Sequence, residues 1–328
     1  MLVKIQGDVR LFSYASVGGA QEAKGPLGKQ FDMIDESERF QQKTWEQSEG
    51  EMQRIALLRA MDKASLCEKD VGHLFAGDLM NQCTSSSYGL MSYDIPYIGL
   101  YGACSTAAES IALASIMCDM TGSVSAAVTS SHFCSAERQF RYPLEYGGQR
   151  TPTSQRTVTG SGAFLLGKAR GKIRVKEVMF GRSVDSKIND ICNMGAAMAP
   201  AAVDTLTRFF EESGTSPKDY AKIVTGDLGR EGLAITKMMM AQKGYCIDSV
   251  YDDCGLLIYN CAVQDMHAGG SGCGCSAVVA ATSLFPQMER GEIQNLLFVG
   301  TGALMSPTSL QQGLSIASIA HLVHLEVV

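Results

Sequence analysis

One pattern occurs twice along this chain of 328 residues, and any fold has to accommodate both copies. His73-Leu-Phe-Ala-Gly-Asp-Leu79 returns as Lys222-Ile-Val-Thr-Gly-Asp-Leu228, and Gly102-Ala-Cys-Ser-Thr106 returns as Gly272-Cys-Gly-Cys-Ser-Ala277. The first member of each pair reads as an apolar strand ending in Gly-Asp. The second reads as a turn opening a helix of small residues, which runs through Gly122 or Gly291 into a further strand, Val124 to Thr129 or Leu296 to Val299. A period of about 150 to 170 residues is too long for stacked short repeats. The chain therefore reads as a duplicated α/β unit, residues 1–170 and 171–328, with a seam at Gly167-Lys-Ala-Arg-Gly171. Alternating strands and helices predict mostly parallel sheets covered by helices.

Cys104 falls where the short stretch Pro96 to Leu100 turns into the first of these helices. A helix start presents unpaired N–H groups and the positive end of the dipole, and both favour thiolate over thiol. The bland alternative is a small apolar Cys packed at a helix start. Ser105, Thr106 and Glu109 suit helix initiation. With Ala107, Ala108, Ile111, Ala112 and Ala114 following, the helix is small and apolar all round, which predicts burial.

A composition of 45% hydrophobic and 19% charged residues supports a large core or two fused ones. A net charge of -6, with no basic run, argues against a nucleic-acid partner. No apolar stretch approaches the ~20 residues of a membrane span. Met1 to Ser13 carries Lys4, Asp8 and Arg10, unlike a signal peptide, so the chain reads as soluble. Eleven cysteines, an odd number set in apolar segments, suit a reducing compartment better than a disulfide framework.

A helix is predicted from about Trp45 to Ser65 with Met52, Ile55 and Leu58 inward, and another over Ala199 to Ser213 with Pro200 in its first turn. Between them, Ser131 to Arg156 reads as a long polar connection without regular structure, the kind of loop that carries function. Asp78 and Asp227, both ending strands, read as capping or pairing the helix that follows. Cys273-Gly-Cys275 and His321-Leu-Val-His324 read as packing rather than metal ligands, and no cofactor is called for.

A strand ending in Gly-Ala-Cys-Ser-Thr, a duplicated α/β half and Thr159-Gly-Ser-Gly-Ala163 opening a strand resemble the thiolase and ketoacyl-synthase superfamily. That resemblance implies a five-layered αβαβα fold and places Cys104 at the nucleophile position. A closer resemblance lies in Ala76-Gly-Asp-Leu-Met-Asn-Gln82, Ala136-Glu-Arg-Gln-Phe-Arg-Tyr-Pro-Leu-Glu-Tyr-Gly-Gly-Gln149, Met194-Gly-Ala-Ala-Met-Ala-Pro-Ala-Ala202 and Gly300-Thr-Gly-Ala-Leu-Met-Ser-Pro307. These look like the stage V sporulation protein AD family. The resemblance implies a thiolase-like protein that binds dipicolinic acid, with or without calcium. It would work at the spore inner membrane with membrane subunits of the same transport system. A homodimer through a sheet edge is a further expectation the resemblance carries.

The rest of the thiolase chemistry is not legible in the chain. His267 precedes a Gly-rich turn but is one residue short of the thiolase spacing, and Val299-Gly-Thr-Gly302 lacks the second Cys. The expectation is therefore non-catalytic binding, with Cys104 a vestigial nucleophile. Dipicolinate is a flat pyridine with two carboxylates, so it needs N–H donors, cations and an aromatic wall. The candidates are Cys104, His132, Arg138, Phe140, Arg141, His267 and Cys273. Arg150 and Arg156 complete the basic cluster, and Tyr142 and Tyr146 add aromatic surface. The alternatives are a thioester-dependent acyltransferase using Cys104, and a scaffold whose pocket is closed.

Overall fold

The computed structural model describes residues 1–140 and 150–328. In chain order the strands are β1 Leu2–Lys4, β2 Val9–Gly18, β3 Met33–Ile34, β4 Val71–Gly77, β5 Tyr97–Leu100, β6 Val124–Ser131, β7 Arg156–Thr157, β8 Gly160–Lys168, β9 Ile173–Met179, β10 Val184–Asp185, β11 Lys222–Thr225, β12 Tyr251–Asp253, β13 Gly270–Ser271, β14 Asn295–Leu304 and β15 Ala317–Val327. The main sheet runs β12-β11-β14-β15-β9-β2-β8-β6-β4-β5, and β7 with β13 forms a separate small ladder.

That order reads the same from either edge. Outward from its centre, β2-β8-β6-β4-β5 is matched by β9-β15-β14-β11-β12. The pairing senses match as well: β4 is parallel to both its neighbours, as is β11, while β6–β8, β14–β15, β2–β8 and β9–β15 are antiparallel. The two wings are joined by a short antiparallel contact of β2 with β9, Arg10 opposite Arg174 and Leu11 opposite Ile173. The expectation of mostly parallel sheets is corrected to a mixed one. Strands linked through buried helices run parallel, and the long strands β8 and β15 return against them.

Helices form the other layers. Trp45–Lys63 covers the first wing; it starts on a capping box in which Thr44 and Gln47 bond each other's backbone N–H. Its buried face is Met52, Ala56, Leu57 and Ala60 together with the polar Ser48, Glu49 and Gln53, whereas Leu58 is exposed. The expected inward register holds at Met52 and at the partly buried Ile55, which packs on the same core, and is corrected at Leu58. Met194–Ser213 covers the second wing. It begins earlier than expected, capped by Asn193, so Pro200 sits inside the helix. This helix meets Gly229–Gln242 where Gly195 and Gly232 touch; a Cβ on Gly232 would lie 2.7 Å from the Gly195 carbonyl oxygen.

Between the wings lie Thr106–Thr121 and Cys273–Val279, with Thr106–Thr121 touching strands of both wings. Ala107, Ala108, Ile111 and Ala114 are fully buried, as the small-residue pattern requires. Gly122, at φ 76, ends the first of these helices in the left-handed region that favours glycine. The second continues through a π-helical segment, Ala280–Leu284, into Phe285–Glu289. No helix among the described residues is long and apolar enough to cross a membrane.

Candidate functional site

Cys104 sits in a single 3-10 turn, Ala103–Ser105, that leads into Thr106–Thr121. Ala103 takes a left-handed φ of 50, which turns the chain sharply after β5. The turn is pressed onto the end of β14: a Cβ on Gly300 would come within 2.7 Å of the Ser105 carbonyl oxygen, and one on Gly302 would overlap the Gly102 carbonyl oxygen. The other wing reciprocates. Cys273 donates its thiol to the Ser130 carbonyl oxygen at 3.0 Å, and the Gly274 N–H donates to Ser131 Oγ at 3.2 Å, both at the end of β6. Each copy's turn thus docks on the strand end of the other copy.

Asp227 stands where the two turns meet. Its carboxylate accepts from the Gly272 N–H (2.9 Å), Ser271 Oγ (3.1 Å) and Thr301 Oγ1 (2.9 Å), and it faces the Cys104 thiol. Burial pushes the Asp227 carboxyl up to about 6, and those hydrogen bonds oppose the shift. Burial, and then the Asp227 charge, push the Cys104 thiol well above its ordinary value, against the Gly272 N–H and Ser271. The expected thiolate-favouring position is therefore corrected: desolvation and a facing carboxylate outweigh the helix start. Asp78 behaves as expected, accepting from the Ser86 N–H (2.7 Å) and Oγ and from the Met80 N–H. Asp227 does not cap its own helix. Asp253 takes that role, accepting from the N–H groups of Leu228 and Gly229, both at 2.9 Å.

The connection after β6 is not wholly irregular, because it opens with the helix Phe133–Phe140. His132 precedes that helix fully buried. Its Nε2 donates to the Glu38 carbonyl oxygen at 2.9 Å, its Nδ1 accepts from the Cys134 N–H at 3.1 Å, and its ring packs on Trp45. Both ring nitrogens are committed, and burial lowers its pKa, so His132 offers no cation to a ligand. His267, on a left-handed φ of 49, donates Nδ1–H to the Thr151 carbonyl oxygen at 2.6 Å, with Nε2 3.2 Å from Asp265. Cys273 is packed against Cys104, Leu79 and Ala136. The side chains of Arg138 and Phe140, and the whole of Arg141, Tyr142 and Tyr146, lie outside the described residues.

The basic end of the connection does assemble a site. Segment 151–158 zips onto segment 266–272: the Arg156 N–H donates to the Gly269 carbonyl oxygen (2.9 Å), the Ala268 N–H to that of Ser154 (3.0 Å), and β7 lies parallel to β13. Beside this ladder lies a shallow cleft, with enclosed room for about one water molecule, lined by Phe133, Arg150, Ser154, Gln155, Arg156 and Met266. Arg156 lies over the Phe133 ring, 3.8 Å from its centroid, and makes no ion pair among the described residues. Arg150 pairs with Asp265. Gln155 Nε2 donates to the carbonyl oxygens of Asp227 (2.7 Å) and Gly270 (2.8 Å), tying the cleft wall to the residue that faces Cys104. Sequence reasoning found Arg150 and Arg156 but missed Phe133, Ser154, Gln155 and Met266. Nothing local to Arg150 and Arg156 in the sequence marks Met266 as their neighbour.

The family profile described as "Stage V sporulation protein AD (SpoVAD)" matches residues 2–326. The chain is 43% identical over 310 residues to "Stage V sporulation protein AD" of Bacillus subtilis (strain 168), covering 94% of this chain and 91% of that protein. Among solved structures, a variant of OleA from Xanthomonas campestris superposes with a TM-score of 0.60 at 13% identity, over 97% of this chain and 98% of the other. The 3-oxoacyl-[acyl-carrier-protein] synthase III of Aquifex aeolicus VF5 gives 0.57 at 10% identity, over 97% and 99%. At such identities these two establish the thiolase-like α/β fold alone.

Proposed function

The chain belongs to the stage V sporulation protein AD family and is a sporulation protein, and from that membership we propose that it binds dipicolinate without transforming it. The observation that carries the reading is the guanidinium of Arg156, set against an aromatic ring in a cleft that also holds Arg150. A planar dianion matches the cations of this lining: a guanidinium takes a carboxylate in two parallel hydrogen bonds, and the Phe133 side chain offers apolar surface. The binding residues of the proposal are therefore Arg150, Arg156 and Phe133. Arg138, Phe140 and Arg141 are retained as candidates from the sequence, while Cys104, Cys273 and His267 lie behind or beside the cleft.

The absence of turnover belongs to the same proposal. Cys104 is held as a thiol by burial and Asp227, and the two histidines singled out by sequence, His132 and His267, are bonded elsewhere. Delivery to membrane subunits of the same spore system, a peripheral place at the spore inner membrane, a homodimer and the division into halves at 170/171 complete the reading. The palindromic strand order supports that division.

Titration calorimetry with dipicolinate, with and without calcium, tests the function against pyridine-2,6-dicarboxamide, which keeps the shape and lacks the charges. Heat from the diacid alone is expected. No heat from the diacid, or equal heat from the diamide, sinks it.

A further inference from the structure

We propose that Asp265 is a built-in competitor for the ligand of this cleft, holding the cations that a dicarboxylate needs; the inference rests on reading the cleft as a dicarboxylate site. Of its two guanidiniums, Arg156 makes no ion pair among the described residues. Arg150 is already taken. Its Nη2 is paired with the Asp265 carboxylate, and its Nη1 donates to the Asp265 carbonyl oxygen at 2.9 Å. The other oxygen of the same carboxylate lies 3.2 Å from His267 Nε2. One acidic side chain, 72% exposed, thus sits on two basic groups at this end of the cleft.

The backbone holds it there. Asp265 and His267 take left-handed φ values of 54 and 49, on either side of Met266, which lines the cleft. Aspartate tolerates that region better than most residues. An entering dianion therefore meets one uncompensated cation at Arg156 and one neutralised cation at Arg150. Full engagement requires the Asp265 side chain to swing into solvent, and the ligand's second carboxylate then takes its place on Arg150. The exchange is easy, because an ion pair this exposed contributes little. A monocarboxylate satisfies Arg156 and leaves Asp265 in place, so the contact weakens the binding of ligands with two acid groups and spares those with one.

Asp265→Asn removes the charge and keeps a residue that accepts a left-handed φ. In calorimetric titration it is expected to bind dipicolinate about two- to five-fold more tightly than the unaltered chain. Picolinate, whose one carboxylate needs only Arg156, is expected to gain little, so the variant discriminates more strongly against it. Asp265→Gly, which suits the same backbone, must tighten binding likewise, and in an Arg150→Gln background Asp265→Asn must have no effect. Unchanged or weaker binding in both Asp265 variants overturns the competitor while leaving dipicolinate binding by the unaltered chain, and so the proposed function, in place. Binding by the variants alone supports the competitor in its strongest form. Binding by none of them removes both readings.

Discussion

The Asp227 carboxylate faces the Cys104 thiol, so the Asp of one copy of the Gly-Asp-Leu sequence sets the charge beside the cysteine turn of the other copy. A helix start lowers a thiol's pKa only where the thiolate is reached by water or by a cation. Here the thiol is buried and the nearest charge is negative.

Cys104 should therefore resist alkylation. Peptide mapping after iodoacetamide treatment at pH 8 is expected to show rapid labelling of the exposed Cys67 and Cys246 and almost none of Cys104. In Asp227→Asn the facing charge is gone, and labelling of Cys104 is expected to rise several-fold. Fast labelling of Cys104 in the unaltered chain would refute the thiol assignment.

Buried carboxyls give stability a defined pH dependence. Glu22 is pushed up to about 7 by burial, against hydrogen bonds from the Tyr259 hydroxyl and the Thr159 N–H; the nearby Glu38 adds to the rise. Asp253 is pushed up to about 7 as well, again by burial, with Asp227 adding to it. Buried Glu49 and Asp78 are both raised, and Glu49 feels the Asp78 charge. Groups whose folded pKa lies above the unfolded one stabilise fully below the unfolded value, and that contribution is lost as pH climbs through the folded one. Urea unfolding should therefore show a free energy falling by at least about 2 kcal/mol from pH 5 to pH 8. Glu22→Gln, with no proton to lose, should flatten part of that slope; a slope of opposite sign would contradict the burial argument.

Arg156 should matter far more to ligand than to fold. Its stacking on Phe133 is worth roughly 0.5–1 kcal/mol at a partly exposed site. Arg156→Gln is accordingly expected to lower the melting temperature by only a few degrees while weakening dipicolinate binding at least about ten-fold, the loss of a charge-assisted contact. Phe133→Ala should weaken binding less. Full affinity in Arg156→Gln would place the ligand elsewhere.

What the sequence revealed was what short segments determine by themselves. The strand ends at Gly77-Asp78 and Gly226-Asp227, the turn before Cys104 and the helix stop at Gly122 are local chemistry, and the structure has them where expected. The misreadings arose where distant groups decide. Glu49 and Gln53 lie on the buried face of their helix because Ser130, Ser135 and Ser86 meet them there, whereas Leu58, which an apolar periodicity selects, is exposed. Pro200 suggests a helix start because proline favours a first turn, whereas the contact of Gly195 with Gly232, which accounts for the glycine in the actual first turn, is not visible in the sequence. His132 was correctly placed at the end of a strand. Its ring is nevertheless claimed by the Glu38 carbonyl, a partner that no spacing rule indicates.

The reciprocal docking of the two turns makes its own prediction. A methyl group on Gly302 would overlap the Gly102 carbonyl oxygen and lie 3.0 Å from the Ser105 nitrogen, and both are backbone atoms of the Cys104 turn. Neither strand nor turn can yield easily, since β14 is hydrogen-bonded to β15 along its full length, Gly302 standing opposite Ile319. Overpacking of a well-ordered core costs about 1–3 kcal/mol, and displacing backbone lies at the upper end or beyond. Gly302→Ala is expected to lower the unfolding free energy by about 3 kcal/mol. Gly313→Ala, on an open turn at φ 71 with nothing near its Cβ, serves as a control in which only the backbone conformation is penalised, by about 1 kcal/mol. Equal costs at the two positions in chemical denaturation would mean that the contact between β14 and the Cys104 turn is not the tight one described.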